Sequence, residues 1–241
     1  MTNKSSLESF EMQTVAVVHS PYKQKFAIPR QPGLVTAAEG KVELLLDCDQ
    51  TQLIKDISLH SHLWLIFVFH GTKDQGWKPM VKAPRLGGNK KTGVLATRST
   101  FRPNPIGMSV VKLDGISKIN GRIAIDISGL DLLDGTPILD IKPYIPYSDN
   151  ITTATSKMAE SVEYSSLNIE FSTIASQQLI QLQQTYPKLQ LLIEQVLAQD
   201  PRPAYKKQDL SLQEFGMSLY DLNIRWHTQN NICTVIDISA I

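Results

Sequence analysis

The side chains best suited to chemistry lie in basic stretches that are rich in glycine and proline. Between Asp74 and Asp114 the chain has no acidic residue. The basic residues of this interval are Lys78, Lys82, Arg85, Lys90, Lys91, Arg98, Arg102 and Lys112. Glycine and proline make a backbone turn sharply and expose its N–H groups, and arginine offers a forked donor that suits carboxylate or phosphate. The interval therefore predicts an anionic ligand.

A second acid-free stretch lies between Glu11 and Glu39 and contains P-Y-K-Q-K-F-A-I-P-R-Q-P-G at residues 21–33. One interpretation is a solvated loop that its prolines keep stiff. Stiffness also lowers the ordering cost of binding, which favours a ligand role for Arg30 and Gln31.

Two further segments carry candidate polar contacts. Asp131 and Asp134 lie in D-L-L-D-G-T-P, where carboxylates would accept ribose hydroxyls or face a cation, although a plain turn has the same composition. His70 ends an apolar run and precedes Gly71, a position where strand ends open onto pockets. His60 and His62 are interpreted as flanking a turn, because no further metal ligand lies near them.

The segment Asp200–Lys207 follows a predicted helix and combines two prolines with Arg202, Tyr205 and Lys206. Aromatic and basic side chains on a stiff loop are typical of single-stranded RNA recognition, since rings stack on bases and cations hold phosphates. A loop that merely terminates the helix is the alternative.

Several common functional motifs are excluded. In G-N-K-K-T-G at residues 88–93 the second glycine is followed by Val94 and not by Lys-Ser/Thr, so the phosphate-loop pattern fails. No G-x-G-x-x-G follows a strand, which disfavours a Rossmann cofactor site. The two cysteines, Cys48 and Cys233, match neither a zinc nor a disulfide spacing and are predicted to be packing residues.

Period-two alternation predicts a mostly β fold for the first 150 residues. The predicted strands are Thr14–His19, Val42–Leu46, Leu63–His70, Val94–Thr97, Ser109–Leu113, Arg122–Ser128 and Pro137–Ile141. One short helix is predicted at Gln50–Ile57 with Asp49 as its N-cap. A doubly wound sheet would need a helix after nearly every strand, so a barrel or sandwich is favoured.

A polar segment, 148–163, has the composition of a linker. Beyond it, the sequence predicts a smaller α+β domain. Its elements are a strand at Ser166–Phe171, helices at Ile174–Thr185 and Pro187–Gln199, and strands at Leu219–Thr228 and Ile232–Ile238 joined by a turn at 229–231. The predicted domains are 10–148 and 164–241.

Charge and hydropathy bound the class of protein. Residues 1–150 hold 18 basic and 14 acidic side chains, whereas residues 151–241 hold 6 and 9. No apolar run reaches the roughly 18 residues of a membrane span, and the first residues lack the apolar core of a secretory signal. We therefore expect a cytoplasmic protein.

Seven motifs in order resemble the TsaA-like family of bacterial tRNA methyltransferases. They are S-P-Y-K-x-K-F-A-I-P-R-Q-P-G (20–33), S-H-L-W-L-I-F-V-F-H (61–70), P-R-L-G-G-N (84–89), A-T-R-S-T-F-R-P-N-P-I-G-M-S (96–109), L-D-L-L-D-G-T-P (130–137), D-I-K-P-Y-I-P (140–146) and D-P-R-P-A-Y (200–205). The resemblance implies a β-barrel catalytic domain, a homodimer, and S-adenosylmethionine as methyl donor. It also implies methylation of N6 of threonylcarbamoyladenosine, next to the anticodon of threonine tRNA, with no metal.

The resemblance assigns roles to individual residues. The expected cofactor-binding residues are Pro29, Arg30, Gln31, His70, Gly71, Arg98, Met108, Ser109, Asp131, Leu132, Leu133, Asp134 and Gly135. Within this set Arg98 is the expected clamp for the cofactor carboxylate. His70 is the candidate base, and a water molecule or the threonyl carboxylate of the substrate are the alternatives. The expected RNA-binding residues are Lys90, Lys91, Arg102, Arg202, Tyr205, Lys206 and Lys207, and RNA binding should weaken steeply with salt.

Two other functions remain open at this point. In a non-catalytic RNA-binding module the same arginines would hold only phosphates, and the two aspartates would only shape a turn. A phosphate-binding hydrolase is disfavoured, because the phosphate-loop pattern breaks at Val94 and no metal-binding carboxylate cluster is evident.

Overall fold

A computed structural model describes residues 8–82, 91–156, 167–203, 206–207 and 209–241. Lys90 and Tyr205, both expected to contact RNA, lie outside these residues, as does the P-R-L-G-G-N motif.

The N-terminal part of the chain is built from antiparallel strands. They are β1 (Ala16–His19), β2 (Glu39–Leu44), β3 (His62–Val68), β4 (Met80–Lys82), β5 (Lys91–Gly93), β6 (Ile106–Ile119), β7 (Arg122–Ser128) and β8 (Pro137–Pro143). Within the described residues, six of them close into a barrel in the order β1-β2-β7-β6-β3-β8, and β8 returns to β1. Strands β4 and β5 pair separately.

The barrel core follows from the alternation of side chains along each strand. On β3, Leu63, Leu65 and Phe67 are buried inside, and the residues between them face outward. Phe67 lies opposite Gly107 of β6. A Cβ on Gly107 would come within 2.4 Å of the Phe67 ring, so only glycine leaves room for this ring.

A short helix, α1 (Pro146–Asp149), follows the barrel, and a smaller α+β domain follows that. Its elements are β9 (Asn168–Phe171), α2 (Thr173–Leu182), α3 (Leu189–Ala198), β10 (Gln213–Leu219), β11 (Leu222–Gln229) and β12 (Ile232–Ala240). The sheet order is β10-β11-β12-β9, and β9 runs parallel to β12. The predicted fold class, a mostly β barrel followed by a smaller α+β domain, is confirmed.

The two domains are joined by the loop that follows β1. Tyr22, fully buried, forms a β-bridge with Leu219 at the end of β10. The Tyr220 N–H donates to the carbonyl of Pro21 at 2.8 Å, and Gln195 of α3 accepts from the Ala37 N–H at 2.9 Å. The basic stretch at residues 21–33 is therefore held between the barrel and the C-terminal domain.

Two predicted elements of the barrel domain are wrong. Val94–Ala96 is a 3₁₀ turn and not a strand. The helix predicted at Gln50–Ile57 is replaced by the 3₁₀ segments Thr51–Ile54 and Ile57–Leu59. Asp49 is not the N-cap of a helix as predicted. Its carboxylate instead accepts from the Ile123 N–H of β7 at 2.8 Å.

In the C-terminal domain, the strand predicted at Leu219–Thr228 includes the last residue of β10 and most of β11. Leu219 ends β10, which was not predicted, and a turn at Tyr220–Asp221 leads into β11. Tyr220 has a φ of 55°. The second helix begins at Leu189 and not at Pro187. Its predicted core stripe is confirmed by the burial of Leu189, Leu192, Ile193, Val196 and Leu197.

Candidate active site

Polar side chains from four separate segments meet at one end of the barrel. Arg98 donates from Nη1 to Oε1 of Gln31 at 2.7 Å, and Ser109 donates from Oγ to Oδ1 of Asp131 at 2.5 Å. Gln31 lies between β1 and β2, Arg98 follows β5, Ser109 is near the start of β6, and Asp131 follows β7. Antiparallel pairing brings these strand ends together. We call these four residues the Arg98 cluster.

Asp131 is the titratable carboxyl of the Arg98 cluster. Burial raises the pKa of this carboxyl to about 6, while the Ser109 hydrogen bond and the charge of Arg98 pull it down. Desolvation therefore outweighs both stabilising contacts. The carboxyl changes its charge close to physiological pH, a property that clusters at functional sites.

His70 and Gly71 lie at the same end of the barrel, just beyond β3. A Cβ on Gly71 would lie 3.6 Å from Cδ2 of Leu133, so Gly71 sits against the turn that contains Asp131. Among the described residues the His70 imidazole has no hydrogen-bond partner. Arg98, Gly71 and Gly135 are exposed and Pro29 is buried, so the cluster opens to solvent on one side.

Asp134 faces away from Asp131. Its Oδ1 accepts from the Ser20 N–H at 2.8 Å, and its Oδ2 pairs with Lys23 Nζ at 2.6 Å. Asp134 lines a cavity of about 540 Å³ between the barrel and the C-terminal domain. The Asp131 and Asp134 carboxylates therefore have different partners in this structure.

Two other expected cofactor residues also turn away. Leu132 is 1% exposed and its carbonyl accepts from Ser20 Oγ at 2.7 Å, so its side chain belongs to the core. Met108 precedes Ser109 on β6 and therefore points to the outside of the barrel, where it is 46% exposed.

Ser20 and Lys23, which fix Asp134, were missed as functional residues. Their only sequence signal was their position directly after β1, in the motif that also carries Arg30. Nothing in the spacing of the motif indicates a carboxylate partner more than a hundred residues away.

Arg202, an expected RNA contact, has a side chain that is only 3% exposed. Arg202 donates from Nε to Oδ1 of Asp200 at 2.8 Å and from Nη2 to Oδ2 at 3.1 Å, and Nη1 reaches Thr228 at 3.3 Å. Burial opposes the charge of Asp200, yet Arg202 and Lys207 hold the pKa of this carboxyl below its usual value. The guanidinium shapes the loop.

The other expected RNA contacts that the structure describes are accessible to different degrees. Lys91 is exposed on β5, and Arg102 is half-buried with Nη1 3.5 Å from the Thr97 carbonyl. Lys206 and Lys207 are half-buried in the loop between α3 and β10. Lys207 Nζ donates to the Asp200 carbonyl at 3.0 Å.

The described residues contain no group of three or more His, Cys, Asp or Glu side chains placed to hold a metal ion. None of the helices in the described part of the chain has the length and apolarity to cross a membrane.

Known proteins match most of the chain. Residues 17–150 match the family model described as the tRNA-methyltransferase O N-terminal domain, and residues 164–241 match the TrmO C-terminal domain. The chain is 45% identical to the tRNA (adenine(37)-N6)-methyltransferase of Escherichia coli K12 over 91% of this chain and 94% of the relative. It is 43% identical to a putative S-adenosylmethionine-dependent methyltransferase, RcsF, of Pseudomonas aeruginosa, over 94% of this chain and 96% of that one.

A solved structure agrees with the fold. The crystal structure of TrmO from Pseudomonas aeruginosa superimposes with a TM-score of 0.80 at 36% identity, covering 99% of this chain and 100% of that chain. Since two family models together match most of the sequence and full-length relatives exceed 40% identity, the chain belongs to the tRNA-methyltransferase O (TrmO) family.

Proposed function

We propose that the protein is an S-adenosylmethionine-dependent methyltransferase that acts on N6 of threonylcarbamoyladenosine, next to the anticodon of threonine tRNA. The E. coli relative is named a tRNA (adenine(37)-N6)-methyltransferase, and the P. aeruginosa relative is named as S-adenosylmethionine-dependent. The structural observation that carries the proposal is the Arg98 cluster, which gathers a guanidinium, a carboxylate, an amide and a hydroxyl at the barrel end.

The side chains of the cluster fit this cofactor. The methyl donor has a zwitterionic tail, a ribose and a purine, so a site for it needs a forked cation, polar acceptors and an apolar wall. Arg98 would clamp the carboxylate, and Gln31 fixes the direction of its guanidinium. Asp131 supplies the acceptor, and Leu133 beside Gly71 supplies apolar surface.

When bound, S-adenosylmethionine would supply the methyl group of its sulfonium: the acceptor nitrogen would bond to the methyl carbon as the carbon–sulfur bond breaks, and S-adenosylhomocysteine would leave. The protein's share is geometry, because holding two reactants in register removes much of the barrier. The acceptor nitrogen is conjugated to the purine and to a carbamoyl carbonyl, so its proton must leave. His70 is the proposed base, because it lies beside the Arg98 cluster and an imidazole is a common proton acceptor in catalysis.

We also propose that the enzyme is a homodimer that works in the cytoplasm. The outer face of β3 and β6 is apolar and presents the cross-strand pairs Trp64–Val110, Ile66–Met108 and Val68–Ile106. Exposed apolar patches of this kind often mark protein–protein contacts, because covering them removes apolar surface from water. In the proposed dimer the second subunit covers this face and also closes the open side of the Arg98 cluster.

For the RNA, Lys91, Arg102 and the loop around Lys206 are the proposed phosphate contacts. The anionic backbone of the anticodon loop would meet them from the solvent side. Affinity should then fall steeply as salt rises, because each neutralised phosphate releases condensed counterions.

The decisive experiment is mass spectrometry of the nucleosides of threonine tRNA after incubation with protein and cofactor. We expect methylated threonylcarbamoyladenosine only when the tRNA carries the threonylcarbamoyl group. An unchanged nucleoside profile on fully modified tRNA would contradict the proposal.

Cofactor calorimetry separates the enzyme from a non-catalytic RNA-binding module. Saturable binding of S-adenosylmethionine supports the enzyme. RNA binding without cofactor affinity supports the module instead.

A further inference from the structure

A cavity of about 200 Å³ lies between the C-terminal sheet and the loop that follows α3. Its walls come from three places that are remote in sequence: the basic stretch after β1, the Asp200 loop, and strands β10 and β11. The apolar and aromatic residues that line the cavity are Phe26, Pro201, Pro203, Phe215, Met217 and Trp226. No residue of the Arg98 cluster is among the described lining residues, so this cavity is separate from the proposed cofactor site.

The cavity offers flat aromatic surface. Phe215 and Trp226 are stacked, with ring centroids 4.5 Å apart and 23° between their planes. Phe26 stands on the barrel side of the opening and is 69% exposed, which is unusual for a phenylalanine that lines a cavity. Aromatic faces arranged in this way bind other flat rings.

Trp226 adds a hydrogen-bond donor that lacks a partner. This residue is 2% exposed, and its Nε1–H makes no hydrogen bond with any described residue. Buried polar groups in folded proteins are nearly always paired, so an orphaned donor in a cavity wall indicates a ligand acceptor. A pyrimidine or purine edge provides such acceptors, whereas an aliphatic side chain does not.

The opening of the cavity is positively charged. Lys206 lines it, and Lys207 lies beside it. Burial lowers the pKa of Lys207, Asp200 opposes this, and the charge of Arg30 lowers the pKa further, which places Arg30 close to Lys207. Crowded cations beside an aromatic cavity are complementary to a phosphate attached to a ring.

The described residues at the two ends of the loop that follows α3 are held by hydrogen bonds. The buried Asp200–Arg202 pair anchors its start, and Gln213 Nε2 donates to the Asp209 carbonyl at 3.0 Å beyond it. Pro201 and Pro203 restrict the backbone between these points. A ligand therefore meets a preformed cavity, which lowers the entropy lost on binding.

We propose that this cavity receives one unpaired nucleobase of the substrate tRNA, a neighbour of the methylated adenosine, which stacks against Phe26 and accepts from the Trp226 N–H. The cavity is smaller than the roughly 300–1,000 Å³ of drug-sized sites, which limits it to a single flat base. Lys206, which lines the cavity, holds the phosphate of the same nucleotide. The inference rests on the proposed function in one respect, that the RNA is the substrate.

The test is a double-mutant cycle between protein and RNA, read by binding. The probes are synthetic anticodon stem-loops of threonine tRNA, each lacking the base at one loop position. With the wild-type protein we expect one abasic position to weaken binding about tenfold, in the range of measured base–aromatic stacking. With Phe26→Ala we expect the intact stem-loop to bind about tenfold more weakly, and the same abasic position to have no further effect.

Phe26 is largely exposed, so its substitution leaves the core intact. Trp226→Phe keeps an aromatic ring but removes the donor together with part of the indole, and it should weaken the same interaction by a smaller factor. The matched control is Ile180→Ala, at an exposed apolar residue of α2 in the C-terminal domain. This variant should bind every probe like wild type. Additive losses from Phe26→Ala and each abasic site, or unchanged binding by Phe26→Ala, would overturn the proposal.

Methylation by the wild-type protein tests the proposed function separately. A coupled cycle in a protein that does not methylate would support the cavity and refute the enzyme. Normal methylation with an uncoupled cycle would refute the cavity alone.

Discussion

Asp131 and Asp134 belong to one short turn, yet their side chains serve different parts of the molecule. Asp131 meets Ser109 and Arg98, whereas Asp134 ties the turn to Ser20 and Lys23. The sequence predicts a polar turn here, because Asp and Gly are turn formers. It does not predict the direction of each carboxylate, since that depends on partners supplied by β1 and β6.

The raised pKa of Asp131 predicts that removing its charge will stabilise the fold and weaken cofactor binding. A carboxyl with a folded-state pKa of about 6, above its usual value, binds protons more tightly when folded. Its contribution to stability is therefore present at low pH and is lost as pH rises through 6. At pH 8 we expect Asp131→Asn to be more stable than wild type by about 1–2 kcal/mol, and to bind the cofactor more weakly.

Urea denaturation at pH 8 and pH 5 measures this effect, and the advantage of the variant should shrink at pH 5. Asp140→Asn, at an exposed carboxylate of β8, is the control and should not gain stability at pH 8. A variant less stable than wild type at pH 8 would contradict the prediction.

Arg98 is predicted to act through its forked shape and not only through its charge. Arg98→Lys keeps the charge but loses the paired donors that suit a carboxylate, so we expect about tenfold weaker binding of S-adenosylmethionine in calorimetry. Arg122→Lys serves as the control, because Arg122 pairs with Glu43 at the other end of β7. Unchanged affinity of the Arg98 variant would rule out the clamp.

At the scale of elements, the sequence predicts best where one face of a strand is buried. The bounds of β7 at Arg122–Ser128 were predicted to the residue, because alternation and flanking turns coincide. Strand β6 runs past the predicted end at Leu113, since a bulge between Leu113 and Gly115 carries it onward to Ile119. Strand β10 was missed because its glycine and polar residues weaken the strand pattern.

The Asp200 loop yields a prediction at this scale. Arg202 and Asp200 are 3% and 1% exposed, so Arg202→Ala removes the bidentate partner of a buried carboxylate and leaves it with Lys207 at 3.2 Å. We expect a loss of about 3 kcal/mol in the free energy of unfolding, as is typical when one member of a buried pair is removed.

The matched control for the loop is Arg225→Ala. Arg225 pairs with Glu214 on the exposed face of the same sheet, with side chains 51% and 61% exposed. This change should lower stability by less than about 1 kcal/mol. Denaturation in guanidinium compares the two variants, and equal losses would show that the loop pair is not structural.

At the scale of the whole molecule, composition and motif order predicted a barrel followed by a smaller domain, but not how the two meet. The contacts of Tyr22 with Leu219 and of Gln195 with Ala37 join segments that are far apart in sequence. No local pattern encodes such a pair. The cavity beside Phe26 escaped prediction for the same reason, because three remote segments build it.

The proposed dimer gives a prediction for the assembled molecule. Ile66→Asp places a charge on the apolar outer face of β3, opposite Met108. We expect a monomer by size-exclusion chromatography with light scattering, together with weaker cofactor binding, because the open side of the Arg98 cluster is then uncovered.

Leu53→Asp is the control for the dimer. Leu53 is 63% exposed in the 3₁₀ segment at the other end of the barrel and should leave the assembly unchanged. An Ile66→Asp protein with the mass of wild type would contradict the proposed face.

In the C-terminal sheet, two neighbouring strands are synthesised far apart in time. Strand β9, the first of its domain to leave the ribosome, has β12 as its sheet neighbour in the described part of the chain, and β12 is made last. A nascent chain thus carries β9 without this partner until β12 has been synthesised. Premature termination before Ile232 would leave a finished barrel joined to a domain unable to complete its sheet, a product that cellular proteases would recognise by its unpaired edge.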